Sequence, residues 1–383
     1  MNKSYNKTLV FISACSGLAF FGVTMLALGP VLSQLGAGAN ALPSTLSIGI
    51  IIGTVVFGPV VDKFGYKWLL IVGSVFALLG IQGLAHFRDM SFLHAAILML
   101  GIGGGILNGE TNALVAEIYD DKNRGGRLSL LGAFYCIGAL LWTLLNYFIV
   151  DNFTMPLNSI SVIMFGFIVF FVTISFPEPK PQSSISVGKM LGLLKYPSLL
   201  LFSFILFFQS GFESITGNFV IHFLENVHGI ALNVATLSLT WFTIGMLLGR
   251  LTLSVLIKKL QNSRTLYLYF SVTLIGVAFL YATAAYDFFL PSIFIFCVAT
   301  FLIGFGASAT FPIAFNYLGG AFRELSGTAF SIAIFIALCG QFTFNKIIGI
   351  LFDNNLSVYL PTVMAFAIVM MMTILPIAKN KLK

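Results

Sequence analysis

Four ionisable side chains, Glu110, Glu213, Arg250 and Lys346, stand inside stretches that are otherwise almost wholly apolar. A charge at the centre of a membrane helix costs about 2.5–3.5 kcal/mol on insertion scales, so such groups turn toward a partner, a wet cavity or a functional task. Counting along the apolar runs puts Glu213 and Lys346 in the same half of their runs, where they are expected to meet. Desolvation makes a carboxylate hold its proton and a nearby cation makes it let go, so an exchangeable pair can load and release a proton. Glu213, Glu110 and Lys346 are therefore the proton-coupling candidates, with a fixed structural ion pair as the plainer alternative. Arg250, next to Gly249, reads as a structural residue at a gate.

Uncharged polar groups recur beside these acids. Gln209 and Glu213 stand at i and i+4, as do Asn108 and Asn112, so each pair shares a helix face. Amides donate to and accept from hydroxyls, and aromatic faces stack on the apolar side of a hydroxylated ring. The candidate solute-binding set is therefore Asn108, Asn112, Gln209, Glu213, Asn218, Asn316 and Gln341, with Phe208, Phe212 and Phe315 as stacking partners. Amides also simply join neighbouring membrane helices, a reading held equally open for Gln341 and Asn345.

Other chemistry lacks its residues. His86, His94, His222 and His228 form no i, i+4 ligand set with a carboxylate or cysteine cluster, so neither metal nor cofactor is expected. Cys15, Cys136, Cys297 and Cys339 all fall in apolar runs and are expected as buried free thiols. HExxH, GxSxG and the phosphate-binding GxxxxGK[ST] are absent, which argues against an enzyme and against nucleotide-driven pumping.

The elements that carry these residues follow from composition: 58% hydrophobic, 9% charged, with 41 Phe in 383 residues. A water-soluble core cannot absorb that much apolar surface. Crossing about 30 Å of hydrocarbon takes roughly 20 apolar residues per helix. That criterion predicts spans at Thr8–Ser33, Leu42–Val61, Lys67–His86, Phe92–Ala116, Leu128–Val150 and Leu157–Phe176. A second set follows at Tyr196–Ile221, Asn233–Ile257, Arg264–Tyr286, Leu290–Tyr317, Leu325–Leu351 and Leu356–Ala378. The expected fold is all-α, twelve transmembrane helices in two pseudo-symmetric six-helix bundles, 1–176 and 196–383, with a Pro-, Ser- and Lys-rich cytoplasmic linker at 177–195.

With the N-terminus inside, every Lys and Arg except Arg88, Arg250 and Lys346 falls at a cytoplasmic end or loop. The net charge of +7 is thus a topology signal placing both termini in the cytoplasm, and no nucleic-acid partner is expected. The halves also repeat. Ile48-Gly49-xxx-Gly53 recurs as Ile244-Gly245-xxx-Gly249, and the same offset lays Lys63 over Lys259. The Gly101–Gly105 run likewise matches Gly304 and Gly306.

The loop after the second span, Gly58-Pro-Val-Val-Asp62-Lys63-Phe-Gly65-Tyr-Lys67, resembles the G-x-x-x-D-(R/K)-x-G-x-(R/K) signature of the major facilitator superfamily. Gly58, Asp62, Lys63, Gly65 and Arg127 are its expected gate and structural residues. Span four (Gly103-Gly-Gly-Ile-Leu-Asn108-Gly-Glu110-Thr-Asn112), span seven (Gln209-Ser-Gly211-Phe-Glu213) and span ten (Phe311-Pro312) are similar to the fucose-proton symporter and sugar transporter branch. One position departs: Asn108 stands where that branch has its span-four carboxylate, and Glu110 lies about 200° around the helix from it. The resemblance implies an inner-membrane secondary transporter whose halves rock about a site lined by spans one, four, seven and ten. It also implies a sugar as solute, protons as coupling ion, lipid as surroundings and a monomer as working form. If Glu213 carries the proton, Glu213→Gln abolishes proton-driven accumulation and spares exchange. An exporter of amphipathic compounds and a non-transporting membrane sensor are the rival readings, the latter weakened by short loops.

Overall fold

The computed structural model describes residues 5–36, 38–119, 121–149, 152–177, 192–285, 293–322 and 326–381. Among them lie twelve helices long and apolar enough to cross a membrane. They are Lys7–Leu26, Ala39–Phe57, Lys63–His86, Met90–Ile118, Leu130–Phe148 and Thr154–Thr173, then Pro197–His228, Leu232–Leu253, Asn262–Ala282, Ile293–Ala321, Thr328–Asp353 and Ser357–Asn380. They are called spans one to twelve below. The chain divides into two compact units, Met1–Gln182 and Ser183–Lys383, each with six spans. The linker expected at 177–195 lies largely outside the described residues.

Local chemistry sets the ends. Asn6 caps span one by accepting from the N–H groups of Thr8 and Leu9, and Asp89 caps span four through Ser91 and Phe92. Span seven runs past the expected Ile221 to His228 because its polar residues continue the helix until Gly229, whose φ of 63° closes it with Ile230 N–H on Leu224 O. Hydroxyls inside the spans return to their own backbone, Thr24 to Phe20 O, Thr111 to Leu107 O and Thr216 to Phe212 O, which satisfies them without water.

The two units share one internal plan. Span one packs on five, spans two and three on four, and three on six; seven then packs on eleven, eight and nine on ten, and nine on twelve. The repeated glycines make the equivalent crossings. A Cβ on Gly49 would strike the Leu98 carbonyl oxygen, and one on Gly101 that of Leu46. In the second unit a Cβ on Gly245 would strike the Phe301 carbonyl oxygen, and one on Gly304 that of Phe242. Helix backbones in lipid approach this closely where side chains are missing, and dispersion and lipid entropy then hold them.

Spans two and three form one helical run, Leu42–His86, turned at Gly65, where φ is 80° and ψ 166°. That is a conformation glycine adopts without steric cost. Just beyond it Lys67 Nζ donates to the carbonyl oxygens of Val172 (2.7 Å) and Ile174 (2.9 Å), tying this turn to the end of span six. A cation there satisfies orphan carbonyls and meets the negative end of the helix dipole, worth about 0.3–1 kcal/mol when exposed. Lys67→Met is expected to lower the thermal midpoint by about 1–4 °C, and Lys67→Arg by less, in unfolding scans of purified protein.

Candidate functional site

In span four the glycines decide which residues remain available. Gly101 and Gly105 abut the backbone of span two, and Gly103 abuts Gly73 and Ala77 of span three. Asn108 and Asn112 continue the Gly101–Gly105 face. Asn112 is exposed, Asn108 is half-buried, and Asn112 Nδ2 donates to the Asn108 carbonyl oxygen at 2.8 Å and to Asn108 Oδ1 at 3.4 Å. The two amides that share a face therefore bond to each other, in the second half of span four. Glu110 is turned away from it. It has no exposed surface, and neither carboxylate oxygen has a hydrogen-bond partner among the described residues.

Span ten differs from the continuous helix expected. It is two helices, Ile293–Ala307 and Thr310–Ala321. Pro312 has no N–H to offer the Ser308 carbonyl, which breaks the ladder one turn upstream. Gln209 Nε2 on span seven fills part of the gap by donating to the Ala307 carbonyl oxygen at 2.9 Å, and Ser308 Oγ donates to Phe305 O at 2.7 Å. Gln209 is 1% exposed, and the bond to Ala307 is the one its amide makes across to the broken helix. Glu213, one turn on, shares that face and is half-buried. Phe202 and Tyr317 stack between the same two spans with centroids 4.9 Å apart.

Several of the expected solute ligands are buried against neighbouring helices. Asn218 is fully buried and donates to Ser214 Oγ (3.2 Å) and Asn345 Oδ1 (3.4 Å), while Asn345 Nδ2 donates to Ser214 Oγ (2.7 Å). With Gln341, also buried, they lie where span seven meets span eleven. Phe212 is in the core, and Phe208 joins an edge-to-face cluster with Phe207, Phe344 and Phe366. The reason is rotational: in a helix lined with phenylalanine, spacing fixes which residues share a face but not which face is inward. Phe315 is half-buried against Phe311 and Phe330, and Asn316 is exposed.

Lys346 corrects the expected pair with Glu213. It is exposed and makes no ion pair among the described residues, in a span that ends at Asp353. A long aliphatic stem lets a lysine placed two turns from a span end reach toward the interface. At the other end of the first unit, the Arg127 guanidinium lies over the rings of Phe11 (5.3 Å) and Tyr119 (5.0 Å), joining span one to the ends of spans four and five. Lys63 is exposed above Phe64, and Arg250 is half-buried. The side-chain surroundings of Gly58 and Asp62 lie outside the described residues. Of the cysteines, Cys15 and Cys136 are buried, while Cys297 and Cys339 are half-buried; all four are free.

Sequence reasoning passed over three residues that organise these ends and seams. Ser214 is one, and Lys67, quoted above only as the last residue of the signature loop and given no role, is another. The third is Trp142, fully buried on span five, whose Nε1 donates to the Leu26 carbonyl oxygen at the close of span one (2.8 Å). A tryptophan in mid-span was the available signal, because its indole N–H needs a partner when buried.

Twelve apolar helices in two units of six, wired alike and carrying intramembrane amides and acids, define a polytopic helical membrane protein of the solute-carrier type. The chain belongs to the Major Facilitator Superfamily, whose family model matches residues 9–287. A crystal structure of a D-xylose-proton symporter superposes with a TM-score of 0.78 at 16% identity, over 96% of this chain and 97% of that one. At such identity the likeness is one of fold. YfkF, an MFS-type transporter of Bacillus subtilis (strain 168), is 23% identical over 299 residues, 74% of this chain and 71% of that protein. A D-xylose transporter of Levilactobacillus brevis is 27% identical over 153 residues, a match that spans 34% of that relative.

Proposed function

We propose that this protein imports a small hydroxylated solute, best fitted by a sugar, across the inner membrane by alternating access, driven by protons and working as a monomer. The observation that carries this reading is the Asn108–Asn112 pair: span four spends its glycine faces on packing and presents an exposed amide where an apolar span has no structural need of one. An amide supplies both a donor and an acceptor, which is what a sugar hydroxyl requires. Half-buried Glu213 is the acid in the second unit suited to touch the solute. The fold shared with a D-xylose-proton symporter and the partial match to a D-xylose transporter support the solute class. The clustering of Lys and Arg on alternate loops supports cytoplasmic termini.

Purified protein in liposomes is expected to take up labelled monosaccharides saturably, and more strongly under an inward proton gradient. Uptake of no sugar under either condition, with amphipathic dyes expelled instead, would replace this reading with the exporter.

A further inference from the structure

The seam of spans three and six in the first unit and that of spans nine and twelve in the second close in different ways. At the first, Lys67 spends its charge on the Val172 and Ile174 carbonyls. At the second a neutral group takes that place: the Tyr267 hydroxyl on span nine donates to the Met372 carbonyl oxygen of span twelve at 3.3 Å. The cations at this end are left over. Lys379 Nζ on span twelve donates to Ser263 Oγ of span nine at 3.4 Å, and Ser263 also bonds the Tyr317 hydroxyl of span ten, so the ammonium is braced where three helices meet. Arg264, beside Ser263, is exposed and makes no ion pair among the described residues. Exposed Lys259 and Lys381 end the helices of spans eight and twelve at the same level. The described carboxylates of the second unit lie elsewhere, Glu213 inside span seven and Glu225 and Asp353 at the far ends of spans seven and eleven. The side chains of Lys258, Arg323, Glu324 and Lys383 lie outside the described residues.

Below these charges span nine turns a continuous face outward. Arg264, Leu268, Ser271, Ile275 and Phe279 follow one another at steps of three and four, and all are exposed. A row running into hydrocarbon beneath braced cations fits an anionic head joined to acyl chains; an acidic protein would meet the charges and leave the row untouched. We propose that the ends of spans nine and twelve bind an anionic phospholipid, from the leaflet that the Lys and Arg pattern reads as cytoplasmic. Lys379 and Arg264 hold its phosphate, the guanidinium through paired N–H donors, and its acyl chains lie along Leu268, Ile275 and Phe279. Because Ser263 already braces the ammonium, Lys379 loses little freedom when the phosphate arrives. One headgroup then bridges a cation on span nine to a cation on span twelve, which stabilises the second unit whichever solute the protein moves.

The test uses the full chain, delipidated in detergent, with dioleoyl-phosphatidylglycerol as probe. Native mass spectra of the wild-type protein are expected to keep this lipid under activation that strips dioleoyl-phosphatidylcholine; equal loss of the two overturns the proposal whatever the variants do. The anionic lipid is also expected to raise the thermal midpoint, and inorganic phosphate is not. An equal rise with phosphate would make this a free-anion site and remove the lipid. In R264Q/K379Q the affinity for phosphatidylglycerol is expected to fall about thirtyfold, the combined worth of two basic residues beside anionic lipid. Each single change is expected to lower it about fivefold and carries the same reading where the pair fails to fold. K7Q/K195Q removes the same charge from exposed positions at the starts of spans one and seven, on the same side, and is expected to bind as wild type. Unchanged affinity in R264Q/K379Q, or an equal fall in K7Q/K195Q, would reduce the effect to attraction by the whole basic surface and overturn the site.

Discussion

Gly138→Val is expected to prevent the first unit from folding, with the protein lost from the monodisperse peak of a detergent extract. A Cβ at Gly138 would overlap the Ala19 carbonyl oxygen and lie 2.6 Å from its carbon and 2.7 Å from Ala19 Cα. These are backbone atoms of span one, so no rotamer change can make room, and the two helices must separate. Overpacking of this kind costs about 1–3 kcal/mol by itself, and more where the neighbour cannot move. Separation would also break the bond from Trp142 to Leu26 O, one turn further along span five, and an unpaired buried group costs about 1–3 kcal/mol again. Together these approach the roughly 5–15 kcal/mol that keeps a domain folded. Gly340→Val should do the same to the second unit, because a Cβ there would strike the Phe207 carbonyl at the equivalent crossing of spans seven and eleven. Gly166 has nothing within 4 Å of its Cβ position and serves as the control. A Gly138→Val protein that stays monodisperse and melts within about 3 °C of wild type would show that the crossing is not close-packed.

The same glycines show why much of the fold was legible. Lipid demands long apolar runs and tolerates close contact only at small residues, so span number, the repeat and its Gly49/Gly245 register are written in plain composition. Features that depend on one local hydrogen bond were not. Pro312 is visible in the sequence, but that the break falls at Ser308 and Ala309, with Gln209 on the Ala307 carbonyl, depends on how two helices meet. The extension of span seven to His228 hid behind polar residues, although Gly229 was a readable stop signal. For the candidate site, i and i+4 spacing joined Asn108 to Asn112 correctly. It could not give the rotation of each helix, so it did not show that Phe212 and Asn218 are fully buried or that Phe208 packs on Phe207, Phe344 and Phe366. Glu110 was recognised as costly, yet only the structure shows that its carboxyl oxygens have no hydrogen-bond partner among the described residues.

Gln209→Leu separates the two roles that residue can have. As a solute ligand, the expectation from its spacing with Glu213, its loss would raise the half-saturation concentration and leave stability alone. As the partner of Ala307, its loss leaves a buried carbonyl unmade at the break in span ten, at about 1–3 kcal/mol. For a unit of this size that lowers the thermal midpoint by about 3–10 °C. The break joins two helices whose relative angle the Gln209 amide helps to fix from span seven. Loosening it should therefore slow turnover about tenfold, the equivalent of 1.4 kcal/mol, while half-saturation changes little. Leucine is close to glutamine in volume and keeps the apolar contacts of the stem, so the missing amide is what the comparison reads. A Gln209→Leu protein with wild-type stability and a raised half-saturation concentration would return Gln209 to the solute; one that is less stable and slower at unchanged half-saturation makes it the brace of span ten.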